Sequence, residues 1–231
     1  MNEEYAILMA AGLGTRMRPL TLETPKPLIK VGNTPMIETV INGLNQRGVK
    51  EIYVVTGYLG EQFEYLTRKY SNLYLIENKE YTVKNNISSV YAAVEVLRKG
   101  NCFICESDLF IPDAAVFLKK LSHSVYYGKM KKGHSDDWVF ELTDGYISRV
   151  GKGGDDCYNM VGVSYFDKDD ASLLADLIEN AGSDDACNDM FWDDIVNINL
   201  NKLKLKIEPV SDGDIVEIDT VEELTEVNSR L

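Results

Sequence analysis

Short runs of apolar residues alternate, in the first half of the chain, with longer segments whose apolar residues recur every three or four positions. The short runs predict buried strands and the longer periods predict amphipathic helices. The predicted strands cover residues 5–9, 52–56, 73–77 and 102–105. The predicted helices cover residues 36–47, 61–70, 85–99 and 112–121, and the first of them is expected to begin with Thr34 as its N-cap and Pro35 in its first turn. Strands that alternate with helices predict a parallel sheet with helices on its faces.

The pattern changes after residue 121. Four segments look like strands joined by turns rich in glycine and aspartate, at residues 125–131, 138–142, 146–150 and 159–166. They predict an antiparallel lid or sheet extension over about residues 123–166. Helices at 169–180, 189–198 and 220–231 and a strand at 203–209 complete the prediction. We therefore expect one α/β domain over residues 1–231, with a Rossmann-like, mostly parallel mixed sheet flanked by helices and a small antiparallel lid or extension.

Composition limits the classes of protein to which the chain can belong. Of its 231 residues, 45% are hydrophobic and 26% are charged, which is typical of a soluble globular protein. The net charge of −13 argues against a nucleic-acid partner, because binding to a phosphate backbone requires surplus cations. No apolar run approaches the roughly 20 residues that span a membrane, and the acidic N-terminus lacks the basic and apolar regions of a signal peptide. We expect a cytoplasmic protein that binds neither nucleic acid nor membrane.

The four cysteines predict neither a disulfide framework nor a zinc site. Cys102 and Cys105 have the spacing of a metal-binding pair, but they lie in a predicted buried strand. Residues three apart in a strand point to opposite faces, and no second pair with histidine completes a zinc site. We expect buried thiols.

The loop after the first predicted strand indicates phosphate binding. Gly12 and Gly14 stand two apart, where the backbone turns tightly and can approach a ligand. Although the chain is strongly acidic overall, residues 12–30 carry four cationic side chains and a single anionic one. The cationic residues are Arg16, Arg18, Lys26 and Lys30, and the anionic residue is Glu23. Backbone N–H groups and cations that converge in this way hold the oxygens of a polyphosphate.

Two familiar phosphate-binding loops do not fit this segment. The P-loop requires Lys and then Ser or Thr after its last glycine, but Gly14 is followed by Thr15 and Arg16. The dinucleotide fingerprint requires a third glycine where Met17 stands. The pattern Gly-x-Gly-Thr-Arg, followed after a spacer by Pro-Lys, is that of sugar-nucleotide pyrophosphorylases and nucleotidyltransferases. It is matched here by Gly12, Gly14, Thr15, Arg16, Pro25 and Lys26, preceded by Ala10 and Ala11.

Several candidate residues directly follow predicted strands. The glycine loop, Gly57 with Tyr58, and Asp108 are all placed in this way, so they should share the edge at which ligands bind to a parallel sheet. Asp108 is a candidate ligand of Mg²⁺, or alternatively begins a turn. Asp219 is a second candidate; alternatively it is a helix N-cap, with Glu222 three residues later as in a capping box.

Over nearly its whole length, the chain resembles the bacterial CTP:phosphocholine cytidylyltransferases, which have the sugar-nucleotidyltransferase fold. Beyond the glycine loop, the matching segments are 57–59, 61–63, 81, 85–86, 107–108, 136–138, 161–164, 191–193 and 217–219. The resemblance implies that Asp108 and Asp219 hold Mg²⁺, and that Arg16, Lys26 and Asp108 are catalytic. It also implies a nucleotide site for CTP formed by Ala10, Ala11, Gly12, Gly14, Thr15, Arg16, Gly57, Tyr58, Asn86 and Ser88.

The two tryptophans, Trp138 and Trp192, both have acidic neighbours. A quaternary ammonium donates no N–H hydrogen bond, so aromatic faces and diffuse negative charge hold it. The resemblance implies that these tryptophans form a choline cage; the alternative is that one packs in the core and the other lies at the surface. The expected substrate-binding residues are Lys26, Asp136, Trp138, Tyr158, Trp192 and Asp193.

The expected reaction is in-line attack of the phosphocholine phosphate on the α-phosphorus of CTP, which gives CDP-choline and pyrophosphate. An anionic nucleophile needs no general base, in agreement with His123 and His134 lying outside every motif. One alternative acceptor is 2-aminoethylphosphonate, whose primary ammonium would require carboxylates such as Asp136, Asp137 and Asp193. A sugar-1-phosphate nucleotidyltransferase and a non-catalytic nucleotide-binding module are further alternatives.

Overall fold

The structure, a computed structural model, describes residues 3–231 apart from the side chain of Asp185; Met1 and Asn2 of the acidic N-terminus lie outside the described residues. The strands are β1 Glu4–Ala10, β2 Lys30–Val31, β3 Thr34–Pro35, β4 Glu51–Thr56, β5 Leu73–Glu77, β6 Asn101–Glu106, β7 Leu109–Phe110, β8 Val125–Thr143, β9 Tyr146–Phe166, β10 Lys206–Val210 and β11 Val216–Glu217. The α-helices are α1 Met36–Arg47, α2 Glu64–Lys69, α3 Ile87–Ala92, α4 Val94–Leu97, α5 Lys168–Gly182, α6 Trp192–Ile198 and α7 Val221–Asn228. None of the helices in residues 3–231 is long and apolar enough to cross a membrane.

Seven strands form the central sheet, in the order β10-β8-β9-β6-β1-β4-β5. β6, β1, β4 and β5 are parallel, with Leu8 of β1 opposite Val54 on one side and Cys105 on the other. β9 joins β6 in the antiparallel sense, and β10 joins β8 in the parallel sense. The prediction of a mostly parallel mixed sheet flanked by helices is confirmed.

Strand alternation divides the core into two layers. Cys102 and Ile104 of β6 pack on one face of the sheet with α3, α4 and α5, whereas Phe103 and Cys105 pack on the other face with α1. Both thiols of the Cys-x-x-Cys pair are free and buried, and they point to opposite faces as the period of two requires. The prediction of buried thiols is confirmed for this pair, and burial raises the pKa of each.

The helix predicted over residues 112–121 is wrong, because only a 3-10 helix, Ala114–Phe117, forms there. The Asp113 side chain accepts a hydrogen bond from the N–H of Ala115 at 2.9 Å and begins this turn. The guanidinium of Arg47 then donates to the carbonyls of Phe117 and Lys119. In a helix over residues 112–121 the Phe117 carbonyl would accept the N–H of Leu121, so the contact with Arg47 takes the place of a helical hydrogen bond.

Other element boundaries also differ from the prediction. Thr34 is not an N-cap, because it pairs with Val31 in the small β2–β3 hairpin and α1 begins after Pro35. The segment at 61–70 begins as the 3-10 helix Gly60–Phe63 and continues as α2. The helix predicted at 85–99 is interrupted at Ala93, although its apolar stripe stays buried.

The four strands predicted at 125–166 are parts of two long strands, β8 and β9. Their inner parts extend the central sheet through the pairing of β9 with β6. Their outer parts turn at Asp144 and Gly145 and fold back, so that Val139 lies opposite both Gly151 and Asn159. The antiparallel extension is therefore present; that it works as a lid, and that residues 1–231 form a single domain, stay predictions.

Candidate active site

A cavity of about 280 Å³ opens at the carboxyl ends of β1 and β6. This is the edge at which parallel sheets bind ligands. The cavity is lined by Met9, Ala10, Gly12, Gly14, Thr15, Arg16, Lys26, Pro27, Ser107, Asp108 and Asp219. The structure thus brings the predicted glycine loop, both predicted catalytic cations and both predicted metal ligands to one place.

The conformation of Gly14 lets Lys26 reach this cavity. Gly14 has φ +59°, which disfavours other residues, and a Cβ atom there would lie 2.9 Å from Cβ of Lys26. The hydroxyl of Thr21 donates to the Gly14 carbonyl at 2.8 Å and fixes the turn. A Cβ at Gly12, in contrast, meets no described atom within 4 Å, so that side of the loop is open to a ligand.

Lys26 is the centre of the charged network. Its Nζ donates to Oδ2 of Asp108 at 2.5 Å and to Oδ1 of Asp219 at 2.6 Å, and only 7% of the residue is exposed. Nη2 of Arg16, a largely exposed side chain, donates to the same Asp219 oxygen at 2.7 Å. Burial alone would lower the pKa of Lys26, but Asp108 and Asp219 outweigh it and raise that pKa. The lysine is therefore held as a cation between two carboxylates.

Residues next to Asp108 and Asp219 in the chain determine where these two carboxylates lie. The hydroxyl of Ser107 donates to the Met9 carbonyl at 2.5 Å and ties the end of β6 to β1, just before Asp108. Thr220, not Asp219, is the N-cap of α7, because its Oγ1 accepts from the N–H of Glu223 at 3.2 Å. The capping box predicted with Asp219 and Glu222 is therefore shifted by one residue, and the Asp219 side chain is directed to Lys26 instead.

A second group of carboxylates lies beside the cavity and includes two residues that sequence reasoning missed, Glu106 and Glu217. Glu106 lines a narrow crevice of about 10 Å³ that shares Met9 with the larger cavity and also reaches Trp192 and Asp193. The sequence contains a feature that could have identified Glu106 and Glu217. Glu106 and Glu217 are the last residues of β6 and β11 and stand two residues before Asp108 and Asp219, so each lies at the same strand end as a predicted metal ligand.

This second group is short of positive charge. Burial, and then repulsion from Asp108, Glu217 and Asp193, raises the pKa of Glu106 well above its usual range. Glu217 is exposed, yet the surrounding protein and the charges of Asp219 and Asp108 raise the pKa of its carboxyl group to about 7. Burial raises the pKa of Asp193 to about 7 as well, although the Tyr126 hydroxyl donates to it at 2.9 Å. Such a group stabilises a cation that enters the cleft.

Of the remaining predicted nucleotide-binding residues, Gly57 and Tyr58 lie beside the glycine loop, whereas Asn86 and Ser88 form hydrogen bonds elsewhere in the protein. The N–H of Tyr58 donates to the Ala11 carbonyl at 3.2 Å, and a Cβ at Gly57 would meet that same carbonyl at 2.9 Å. Oδ1 of Asn86 accepts from the N–H of Trp192 at 3.0 Å, which joins α3 to α6. The hydroxyl of Ser88 is buried and donates to the Asn85 carbonyl at 2.8 Å.

The two tryptophans pack on different partners. Trp192 is 3% exposed and stacks on Tyr126 with ring centroids 5.8 Å apart. Trp138 is only partly buried and meets Phe191 edge to face at 5.3 Å. Tyr158 is partly buried near Gly128 in the inner hairpin.

The acidic neighbours of the two tryptophans also differ in exposure and in hydrogen-bond partners. The Asp136 side chain is 97% exposed and accepts from His134. Asp137 accepts from Nδ2 of Asn159 at 3.0 Å, whereas Asp193 is buried. Of the predicted substrate-binding carboxylates, Asp193 alone lines the crevice beside the cavity, among the residues that the structure describes.

Comparison with known proteins shows the family of the chain. The Nucleotidyl transferase family model matches residues 5–130. A 2-aminoethylphosphonate cytidylyltransferase of Lancefieldella rimae is 55% identical over 95% of this chain and 89% of its own length. A choline-phosphate cytidylyltransferase of Streptococcus pneumoniae is 32% identical over 98% of this chain and 97% of its own length.

A solved structure shows the same likeness in three dimensions. The CTP:phosphocholine cytidylyltransferase of Streptococcus pneumoniae superposes with a TM-score of 0.90 at 30% identity, with 99% of each chain covered. The resemblance predicted from the sequence is confirmed by these matches. With the family model covering more than half of its residues, this chain belongs to the nucleotidyl transferase family.

Proposed function

We propose that this protein transfers CMP from CTP to the phosphonate group of 2-aminoethylphosphonate and releases pyrophosphate. The observation that carries the choice of acceptor is the 55% identity to a 2-aminoethylphosphonate cytidylyltransferase, against 32% to a choline-phosphate cytidylyltransferase. The alternative acceptor named above is thus better supported than phosphocholine, which was the leading prediction from the sequence.

The chemistry of the cleft supports the same acceptor. A primary ammonium donates N–H hydrogen bonds and is best held by carboxylates, whereas a quaternary ammonium requires exposed aromatic faces. Trp192 has one face stacked on Tyr126 and is almost wholly buried. Glu106 and Asp193 line the crevice with it and are acceptors of the kind that a primary ammonium needs.

The proposal includes Mg²⁺ held by Asp108 and Asp219. One oxygen of each carboxylate already contacts a single cationic atom, Nζ of Lys26, so one cation fits between them. Mg²⁺ commonly takes one or two protein carboxylates and completes its octahedron with phosphate oxygens and water, so the two residues fit the ion. When bound, the ion neutralises charge on the phosphates.

In the proposed reaction, a phosphonate oxygen forms a bond to the α-phosphorus of CTP. The bond from that phosphorus to the oxygen bridging to the β-phosphorus breaks, and its electron pair leaves with pyrophosphate. The attacking oxygen is already anionic, so no general base has to take a proton. Arg16, Lys26 and the N–H groups of the glycine loop bind and orient the phosphates, and catalysis comes from positioning and charge neutralisation.

The test is pyrophosphate release with Mg²⁺ and CTP, with 2-aminoethylphosphonate and phosphocholine offered separately and the product identified by ³¹P NMR. We expect a preference for 2-aminoethylphosphonate that falls in Glu106→Gln and is little changed in Trp138→Ala. A preference for phosphocholine that is lost in Trp138→Ala would overturn the choice of acceptor and support the aromatic cage. Pyrophosphate release with neither acceptor would overturn the proposal as a whole, and a parallel assay with a sugar-1-phosphate would then separate the two remaining alternatives.

A further inference from the structure

We infer that Gly162 is a positioning residue that selects the amino group of the acceptor, because a bulge centred on it gives the Glu106 carboxylate its place at the cleft. This inference rests on the proposed function, since it takes a primary ammonium to be the group that Glu106 meets. It adds to that function a residue that acts through the position of Glu106, with no side chain of its own.

The bulge is visible in the register of β9. Tyr126 of β8 lies opposite Ser164, but Gly128 lies opposite Met160, so residues 161–163 face Tyr127 alone. On the other side of β9, the ladder with β6 ends where Cys105 meets Val163. Bulges of this kind bend a strand and re-aim its neighbours, and they are frequent beside active sites. Here the bulge leaves a hollow, namely the crevice lined by Met160, Gly162 and Glu106, the last residue of β6.

Glu106 fills that hollow and lies flat against Gly162. A Cβ atom built on Gly162 would stand 2.8 Å from Oε2 of Glu106 and 3.1 Å from its Cβ. Gly162 also has φ +73°, a conformation that side chains disfavour. Two independent requirements therefore demand glycine: the backbone conformation of the bulge and the space taken by the carboxylate.

The space matters because Glu106 has no protein donor to hold it. Among the hydrogen bonds and ion pairs found in residues 3–231, none involves its carboxylate, and its acidic neighbours repel it. Packing against Gly162 therefore determines where the carboxylate stands. A side chain at position 162 would push it out of the hollow and away from the amino group of the acceptor.

The experiment compares Gly162→Ala with Gly145→Ala as a matched control. Gly145 lies in the same hairpin with φ +78°, and a Cβ there meets nothing within 4 Å, so that variant carries the backbone strain without the clash. Gly162→Asn is a second variant, because asparagine tolerates a positive φ better than alanine does. It keeps the inference testable if Gly162→Ala does not fold.

We expect the KM for 2-aminoethylphosphonate to rise roughly 10-fold to 100-fold in both Gly162 variants, the range for a lost charge-assisted hydrogen bond. The KM for CTP and kcat should change less than about 3-fold, and Gly145→Ala should match the wild type. Gly162→Ala combined with Glu106→Asp should recover part of the loss, because the shorter carboxylate leaves room for the added methyl group. A merely structural role for Gly162 would also change kcat or the KM for CTP by more than about 3-fold.

Failure of this inference can be told apart from failure of the proposed function. If the wild type uses 2-aminoethylphosphonate but the Gly162 variants keep its KM, Gly162 does not position Glu106 and the inference is overturned. It is also overturned if the double variant is no better than Gly162→Ala. If the wild type does not use 2-aminoethylphosphonate at all, the proposed function fails, and that result does not involve the variants.

Discussion

Replacing Lys26 by methionine tests how this site admits a divalent cation. Nζ of Lys26 stands between Asp108 and Asp219, where the proposed Mg²⁺ would have its two protein ligands. A metal ion and the lysine cannot hold the same carboxylate oxygens together. We therefore expect Lys26→Met to bind a divalent cation more tightly than the wild type when no nucleotide is present, although it loses most of its activity.

The size of the effect follows from the geometry. Opposite unit charges about 4 Å apart interact by about 4 kcal/mol at the effective dielectric constant of a protein surface. Lys26 makes two such pairs, at N···O distances of 2.5 and 2.6 Å, but the desolvation of a nearly buried ammonium offsets much of the gain. The net interaction of Lys26 with the two aspartates is then about 2–3 kcal/mol, and a metal ion that enters must replace it. This corresponds to a metal dissociation constant roughly 30-fold to 150-fold lower in Lys26→Met than in the wild type.

The assay is Mn²⁺ binding followed by electron paramagnetic resonance, without nucleotide, so the result does not depend on turnover. Lys30→Met is the matched control, because Lys30 belongs to the same cationic segment but is exposed in β2. That control should leave Mn²⁺ binding within about 2-fold of the wild type, as expected when an exposed charge is removed. Equal Mn²⁺ affinity in the wild type and Lys26→Met would refute the reasoning, since Lys26 would then not compete for the metal position.

Three further predictions concern stability, each measured by urea denaturation. Thr220→Ala removes the cap of α7 and should lower the free energy of unfolding by about 1 kcal/mol. Gly43→Ala should lower it by about 1–3 kcal/mol, because a Cβ there overlaps the ring of Phe117. Burial raises the pKa of Asp193 from its ordinary value of 3.8 to about 7 in the folded state. Between about pH 4 and pH 7 the folded state therefore binds a proton that the unfolded state has lost. The free energy of unfolding of the wild type should fall as the pH rises through this range, by at most about 4 kcal/mol. Asp193→Asn should remove that fall and gain stability over the wild type at pH 8 relative to pH 5; an unchanged difference would contradict the assignment.

The parts of the fold that the sequence predicted correctly depend on local order. β5 was predicted to the residue, because a continuous apolar run bounded by turns has few other solutions. The glycine loop was predicted because its chemistry lies within one short segment, from Gly12 to Lys26. Cys102 and Cys105 were assigned to opposite faces from the period of a strand alone.

The parts that the sequence could not predict depend on contacts between distant segments. Arg47, about 70 residues away, binds the Phe117 carbonyl that a helix over residues 112–121 would have used. The cap of α7 shifts from Asp219 to Thr220 because Lys26 and Arg16 hold the aspartate. In both cases a long-range ion or hydrogen bond outweighs a local preference that is worth about 1 kcal/mol.

The tryptophans show a different limit. Composition and neighbouring carboxylates describe Trp138 and Trp192 in nearly the same terms, yet one is partly exposed and the other is buried against Tyr126. Their surroundings depend on where β8 and α6 pack, which no local pattern encodes. Glu106, in contrast, could have been found, because it ends β6 two residues before Asp108, at the sheet edge where ligands bind.

The distribution of charge fits the proposed function, in which an acidic protein binds a triphosphate and a zwitterionic acceptor. On one wall, the two aspartates are balanced by Lys26 and Arg16, so the phosphates bring a negative charge that only an added cation can offset. On the other wall, Glu106 and its acidic neighbours repel one another and are relieved by a positive charge. Under the proposed function, the anionic head of the acceptor would meet the added cation at the first wall, and its cationic tail would meet the second wall, which directs the phosphonate toward the nucleotide. An acceptor without the amine would keep its attraction to the added cation but lose the attraction to the acidic wall, so we expect that wall to contribute to positioning as well as to recognition.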